Sequence, residues 1–150
     1  MPTLTITIGL PGSGKTTLAR RWVDENPAAR ARVNRDDTRA MLHGGRLGTR
    51  EQEEQVTIVC HGAIRGLLRS GLDVICDDTN LSQRSMQQLR RIADQAGARF
   101  KVVDLTGVPI DVCIARDAQR TGPARVGEAV IRRMYAQYRR ELARTPALAA

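Results

Sequence analysis

Apolar runs alternate with segments of helical periodicity along the whole chain. Four runs rich in β-branched and apolar residues predict buried strands, at residues 3–10, 31–36, 72–80 and 99–105. Apolar residues at every third or fourth position predict helices at residues 16–26, 38–42, 49–71, 82–97, 109–119 and 127–143. The order of these elements predicts an α/β fold built from βαβ units, with a parallel sheet covered by helices on both faces.

Several helix boundaries carry recognisable signals. Thr49 is followed three residues later by Gln52, which is the capping-box pattern of a helix N-terminus. The Asn26–Pro27 pair ends the first predicted helix, and Gly97 ends the fourth. A turn at residues 121–123 separates the last two predicted helices.

Length and charge narrow the class of protein. The chain has 150 residues, which is enough for one compact domain and too few for two ordinary ones, so we expect a single domain over residues 1–150. Its net charge is +8, and of its 24 basic residues only Lys15 and Lys101 are lysines. Because arginine binds phosphate in a bidentate manner, this excess favours nucleotides or nucleic acid as partners, although a GC-rich genome would also enrich arginine.

Cysteine spacing and hydropathy indicate the compartment. Cys60, Cys76 and Cys113 are widely spaced and form no C-x-x-C pair, so neither a disulfide framework nor a zinc site is indicated. The N-terminus lacks a basic region followed by an apolar core, and no segment approaches the length of an apolar membrane span. We expect a soluble cytoplasmic protein without a membrane partner, and the sequence does not predict its oligomeric state.

One glycine-rich loop carries a specific chemical signal. The segment GLPGSGKT matches G-x-x-x-x-G-K-[ST] and lies between a predicted strand and a predicted helix. In such a loop the backbone N–H groups surround the β-phosphate of an NTP, Lys15 reaches the β and γ oxygens, and the Thr16 hydroxyl holds Mg²⁺. A glycine-rich turn without a ligand is the alternative. The residues expected to contact the NTP here are Gly9, Pro11, Gly12, Ser13, Gly14, Lys15, Thr16 and Thr17.

Adjacent acids follow the second predicted strand, in VNRDDTR. The carboxyl ends of parallel strands share the ligand crevice, and a carboxylate there can orient an acceptor hydroxyl and accept its proton. Arg39 lies three residues beyond Asp36, so on a helix the two can bind an acceptor that carries a hydroxyl and a phosphate. The alternative is a solvated turn in which Asp37 caps the short helix and Asp36 pairs with Arg35 or Arg39.

Further polar groups follow the third strand and the fifth helix. ICDDTN ends like a Walker B segment, in which Asp77 or Asp78 holds Mg²⁺ directly or through water, and an Asx turn or helix cap is the alternative. Arg116 and Arg120 lie four residues apart before the turn at residues 121–123, as in a lid that neutralises charge on a triphosphate. Ordinary exposed arginines would give the same spacing.

Taken together, these motifs resemble the kinase domain of phage-type polynucleotide 5′-hydroxyl kinases over nearly the whole chain. The resemblance rests on TIGLPGSGKTT, NRDD-x-R, VICDDTN, RDAQRTG and VIRRMY. It implies an adenylate-kinase-like P-loop NTPase fold, in which a four-stranded sheet has the order 2-3-1-4 and a helical lid covers residues 114–128. One departure from the family pattern is Gly127, which stands where a proline is usual.

The resemblance also implies roles for individual residues. Asp36 would be the general base on the 5′-hydroxyl, and Arg39 would contact the phosphate of the acceptor. Asp78 would help to organise Arg39 at the acceptor. It would also contribute to the metal site, together with Thr16. The residues implied as catalytic are Lys15, Asp36, Arg39 and Arg120, with Arg116 beside Arg120 on the NTP.

The expected function is therefore transfer of the γ-phosphoryl group of an NTP, ATP by default, to the 5′-hydroxyl end of DNA or RNA, with Mg²⁺. Aromatic residues make up only 3% of the chain, which argues against a long base-stacking surface but suits a clamp on a strand end. A small-metabolite or nucleoside kinase on the same fold would use the same loop and base. A nucleotide-binding switch without transfer is a second alternative, and it would not need Asp36.

Overall fold

The computed structural model describes residues 1–144, so residues 145–150 of the expected domain lie outside the described part. Its four strands form one parallel sheet: β1 (Thr3–Ile8), β2 (Arg30–Val33), β3 (Asp73–Cys76) and β4 (Arg99–Asp104). The helices are α1 (Lys15–Asp24), α2 (Arg35–His43), α3 (Arg50–Arg69), α4 (Gln83–Gln95), α5 (Ile110–Ala118) and α6 (Glu128–Arg144). A 3₁₀ turn, Gly122–Ala124, connects α5 to α6.

The order of the strands is β2-β3-β1-β4, and every neighbouring pair is parallel. This confirms the order 2-3-1-4 implied by the resemblance. Val33 of β2 pairs in register with Cys76 of β3, which in turn pairs with Ile6 of β1. The loops that follow these three strands therefore leave the sheet side by side at one edge.

Both faces of the sheet are covered, as the alternation of strands and helices along the chain predicts. Leu4, Ile6 and Ile8 lie in the main apolar core, which the buried faces of α3 and α4 complete. Because side chains alternate along a strand, Thr5 and Thr7 point to the opposite face, and both are buried as well.

A second, smaller apolar cluster connects the glycine-rich loop to the C-terminal helices. Leu10 of the loop, Cys113 of α5 and Ile131 of α6 are buried together, with Val126 and Met134 packed against them. The segment between α5 and α6 is thereby attached to the loop that follows β1.

Helix boundaries agree with local sequence signals where a cap is present. The capping box at Thr49 and Gln52 is formed at the start of α3, as predicted. The start of α2 was predicted near Thr38, but the helix begins at Arg35 because the Asn34 side chain accepts a hydrogen bond from the Asp37 N–H. Asn34 is therefore the cap, and the alternative in which Asp37 caps this helix is wrong. Within residues 1–144, no helix has the length and apolar character that crossing a membrane requires.

Candidate active site

The glycine-rich loop presents its backbone N–H groups to an open site. Gly12 and Gly14 have φ angles of 84° and 99°, which glycine adopts without strain. Gly14 precedes α1, and no side chain caps that helix, so the first-turn N–H groups are available to an anion. A Cβ atom at Gly12 would collide with the carbonyl group of Cys113 in α5, so the loop packs tightly on that helix.

Lys15 is folded back onto this loop. Its Nζ atom donates to the carbonyl oxygens of Gly9 at 3.0 Å and Leu10 at 2.7 Å, and Ser13 Oγ lies 3.5 Å away. Burial, and then the nearby charge of Arg120, lower the pKa of Lys15 to about 8. Phosphate oxygens would stabilise the charged ammonium group in place of these neutral carbonyls.

The two adjacent acids of α2 have different environments. Asp37 forms an ion pair with Arg32 and accepts a hydrogen bond from Asn34 Nδ2 at 2.9 Å. The Asp36 side chain is 93% exposed, and its one ion pair within residues 1–144 joins Oδ1 to Arg39 Nη1 at 2.8 Å. Asp36 is therefore the more exposed carboxylate of the pair, since the Asp37 side chain is 63% exposed.

Arg39 is held by an acid that sequence reasoning missed. Its Nε and Nη2 atoms donate to the two carboxylate oxygens of Glu53, at 2.7 and 2.9 Å, and its side chain is only 12% exposed. These hydrogen bonds lower the pKa of Glu53 to about 2 and raise the pKa of Arg39. No local signal pointed to Glu53, because an acid in the first turns of a helix is already explained by the helix dipole.

The acids after β3 also differ from each other. The Asp77 carboxylate is buried and accepts two hydrogen bonds from Arg32, at Nε and Nη2, both 2.8 Å long. Asp78 accepts from the Arg35 backbone N–H at 2.8 Å and from the Cys76 thiol at 3.3 Å. Within residues 1–144 Asp78 makes no hydrogen bond to Arg39, so it does not organise Arg39 by direct contact: Glu53 binds Arg39, and Asp78 binds the backbone at the start of α2. Burial raises the pKa of Asp78 to about 6.

The two arginines of the predicted lid make different contacts, and only Arg116 is bound to the glycine-rich loop in the part of the chain that the structure describes. Arg116 Nη1 donates to the carbonyl oxygen of Gly12 at 3.3 Å, and Arg120 Nη1 lies 3.6 Å from Asp117 Oδ1. Asp117 is buried, and its carboxylate accepts from the N–H groups of Val126 and Gly127 at 2.8 to 3.2 Å.

Gly127 is required by this geometry. Its φ of 94° is closed to proline, which also lacks the N–H group that binds Asp117.

A cavity of about 540 Å³, called the crevice below, brings most of the expected site residues together. Its wall includes Lys15, Thr16, Asp36, Arg39, Asp78 and Arg120, together with Pro11, Gly12 and Gly14. Thr17 is an exception, because it faces a surface recess beside Arg20 and Arg21. Gly9 and Ser13 belong to the loop but not to the wall of the crevice, and both contact Lys15.

The donor atoms in the crevice suit a Mg²⁺ ion held partly by substrate. Within residues 1–144 no group of three or more His, Cys, Asp or Glu side chains could hold a metal by itself. The Thr16 hydroxyl and the Asp78 carboxylate line the same crevice, and both are hard oxygen donors. Mg²⁺ typically binds one or two protein oxygens in addition to substrate phosphates and water, so these residues fit that ion.

Comparison with known proteins agrees with this geometry. A family profile described as AAA domain matches residues 4–141. A protein described as a bifunctional polynucleotide kinase/RNA ligase, from Autographa californica nuclear polyhedrosis virus, is 24% identical over 148 residues, which are 90% of this chain and 20% of that protein. The adenylyl-sulfate kinase of Myxococcus xanthus is 35% identical over 121 residues, covering 74% of this chain and 60% of the relative. The chain thus spans only part of these relatives.

Two solved structures are also similar to this chain. A chain in the structure of the Pnkp1/Rnl/Hen1 RNA repair complex aligns with a TM-score of 0.80 and 30% identity, over 92% of this chain and 44% of that one. The APS kinase CysC of Mycobacterium tuberculosis, in complex with AMPPNP and APS, aligns with a TM-score of 0.64 and 20% identity over 79% of this chain and 69% of its own, which shows a shared fold. With its profile match over residues 4–141 and its sheet order, this chain belongs to the AAA domain family and has the fold of the P-loop kinases.

Proposed function

We propose that this protein transfers the γ-phosphoryl group of an NTP to the 5′-hydroxyl end of a DNA or RNA strand. The observation that carries the proposal is the exposed carboxylate of Asp36 beside the immobilised guanidinium of Arg39, in the crevice that also contains Lys15. This pair suits an acceptor that offers a hydroxyl to the carboxylate and a phosphate to the guanidinium.

In the proposed reaction the acceptor oxygen attacks the γ-phosphorus in line with the bond to the β–γ bridging oxygen. That bond breaks, the NDP leaves, and Asp36 accepts the proton of the hydroxyl as the new P–O bond forms. Lys15 and Arg120 face the phosphates and stabilise the negative charge on the transferred group. A bound Mg²⁺ ion would supply further charge neutralisation at the phosphates, held by Thr16 and, directly or through water, by Asp78.

The polynucleotide acceptor is supported by charge and by relatives. The net charge of +8 favours a polyanionic acceptor. Relatives include the viral polynucleotide kinase/RNA ligase and a chain of an RNA repair complex.

A second candidate is a kinase for a small nucleotide-like metabolite. It is favoured by the 35% identity to the Myxococcus adenylyl-sulfate kinase, which uses an acceptor of that class. Such an enzyme would use the same loop and the same carboxylate, and it would be indifferent to oligonucleotides.

The test is label transfer from γ-labelled ATP with Mg²⁺ to three acceptors: a 5′-hydroxyl oligonucleotide, its 5′-phosphorylated form and adenylyl sulfate. We expect label only on the 5′-hydroxyl oligonucleotide. Asp36→Asn should reduce transfer by about 100-fold or more, the scale of lost general-base catalysis, while NTP binding is retained. Asp37→Asn is the matched control, because Asp37 faces Arg32 rather than the crevice.

Other outcomes would change the assignment. Label on adenylyl sulfate alone would establish the small-metabolite kinase. NTP binding without transfer to any acceptor would favour a nucleotide-dependent switch. Loss of transfer in Asp37→Asn but not in Asp36→Asn would contradict the choice of base.

A further inference from the structure

A second cavity adjoins the crevice, and the proposed reaction at Asp36 does not use it. It has a volume of about 370 Å³ and lies between α3, α4 and α6. The two cavities share Arg35, Asp78, Thr79 and Met134 in their walls. The two cavities are therefore adjacent, and the second lies on the far side of these residues from Asp36.

The second cavity is lined by side chains that both donate and accept hydrogen bonds. His61 of α3, Gln88 of α4, and Gln137 and Tyr138 of α6 contribute to its wall. Within residues 1–144 the side chains of these four residues make no hydrogen bond to another residue, so they can bind a ligand without breaking internal contacts. Amide and imidazole groups match the edges of nucleobases, and the Tyr138 ring offers a surface for stacking.

Arginines lie in the wall of this cavity and beside it. The guanidinium groups of Arg35 and Arg84 lie in its wall, where the acids are Asp78 and Glu141. On α6, Arg133 and Arg140 are exposed on the ridge next to the lining residue Gln137. The Arg35 guanidinium is already bound to Glu53 and Thr57, whereas Arg84 makes no ion pair within residues 1–144, so Arg84 is the wall arginine that is available to a phosphate.

We propose that the second cavity binds the nucleotide of the acceptor strand that follows the one being phosphorylated, with its base against Gln88, Gln137 and Tyr138 and its phosphate near Arg84. This inference rests on the proposed polynucleotide kinase activity and specifies its substrate further. A mononucleotide acceptor fills only the crevice. A dinucleotide or longer strand fills both cavities and binds more tightly.

The experiment compares kcat/KM for a series of 5′-hydroxyl acceptors: a nucleoside 3′-monophosphate, a dinucleotide with a 3′-phosphate, and a tetranucleotide. For the wild-type protein we expect a rise of about tenfold or more between the first and second members, the scale of one stacked or hydrogen-bonded base. Gln88→Ala combined with Gln137→Ala should remove most of that rise. Gln87→Ala should preserve it, because this neighbouring glutamine on α4 faces a different groove.

The other outcomes distinguish a failure of the second-cavity proposal from a failure of the proposed kinase activity. Equal kcat/KM for all three acceptors, or a rise that the double variant retains, would overturn the second-cavity proposal while leaving the kinase activity intact, and would point to a different occupant such as a protein partner. No transfer to any of the three would refute the proposed function itself. If the double variant does not fold by circular dichroism, Gln88→Ala alone is compared with Gln87→Ala by the same criterion.

Discussion

At the scale of single residues, the orientation of Arg39 depends on Glu53 of the neighbouring helix. The carboxylate accepts from two nitrogens of Arg39, from Arg35 and from the Gly48 N–H. Arg39 also donates to Asp36, so Glu53 fixes the group that lies beside the proposed base. In the proposed mechanism, Glu53 is thus a positioning residue for Arg39 on the acceptor side of the crevice.

Replacing Glu53 with Gln should therefore impair acceptor use more than NTP binding. The charge that orients Arg39 is lost while the size of the side chain is kept, and hydrogen bonds to charged groups contribute about 1.5–3 kcal/mol. We expect kcat/KM for the oligonucleotide to fall roughly 10- to 100-fold, with an unchanged Kd for a non-hydrolysable NTP. Glu54→Gln is the matched control, because Glu54 is exposed and, in the described part of the chain, pairs with Arg50 alone. An equal loss of NTP affinity would instead indicate that Arg39 binds the NTP donor rather than the acceptor.

The same carboxylate gives a pH dependence of stability. Its pKa is about 2 in the folded protein, below its usual 4.5, because Arg39 binds the ionised form. Glu53 therefore stabilises the folded state above its usual pKa, and this contribution is lost as the pH falls towards 2. The free energy of unfolding of wild type minus that of Glu53→Gln, from urea titrations, should be constant between pH 7 and 5 and should shrink below that. A difference unchanged at pH 3 would contradict the ion pair.

At the scale of elements, Asp117 holds the segment between α5 and α6 in place. Its buried carboxylate binds the N–H groups that precede α6, and the 3₁₀ turn between them carries no side-chain cap. This contact fixes the segment between α5 and α6, which includes Arg120.

Asp117→Ala should release this connection. The loss of buried hydrogen bonds should lower the free energy of unfolding by about 1–3 kcal/mol, and NTP affinity should fall because Arg120 is no longer held over the crevice. Urea unfolding and NTP titration measure the two effects. The control is Asp111→Ala in the same helix, whose side chain is 86% exposed. Unchanged NTP affinity in a destabilised Asp117→Ala protein would limit Asp117 to a structural role.

Elements with local signals could be predicted from the sequence, and contacts between distant residues could not. The capping box at Thr49 fixed the start of α3 because its hydrogen bonds span three residues. The start of α2 was predicted three residues too late because Asn34 and Asp37 are both residue types that cap helices, and the sequence does not show which of them does so. The order of the strands depends on packing across the whole chain, and only the resemblance to a kinase family supplied it. Glu53 could not be assigned to Arg39, 14 residues away, without the packing of α3 on α2.

At the scale of the whole molecule, the excess of arginine should make binding of the acceptor depend on salt. A strand that contacts several arginines releases bound counterions, and for single strands the slope of log K against log salt is about −0.7 per neutralised phosphate. If the strand occupies the crevice and the second cavity, we expect a slope of roughly −1.5 or steeper for a tetranucleotide. A mononucleotide should give a shallower slope. Fluorescence titration from 50 to 300 mM salt measures both, and equal slopes would contradict a strand that extends beyond the crevice.

The close approach of Gly12 to Cys113 means that the glycine-rich loop and the helix that carries Arg116 cannot shift independently. If a bound NTP draws Lys15 away from the carbonyl oxygens of Gly9 and Leu10, the loop changes, and so does the chemical environment of the helix packed against it. In a ¹⁵N-labelled sample, the backbone amide resonance of Cys113 should therefore move when a non-hydrolysable NTP is added. Arrival of the donor would thus be transmitted to α5 through main-chain packing, before any acceptor is present.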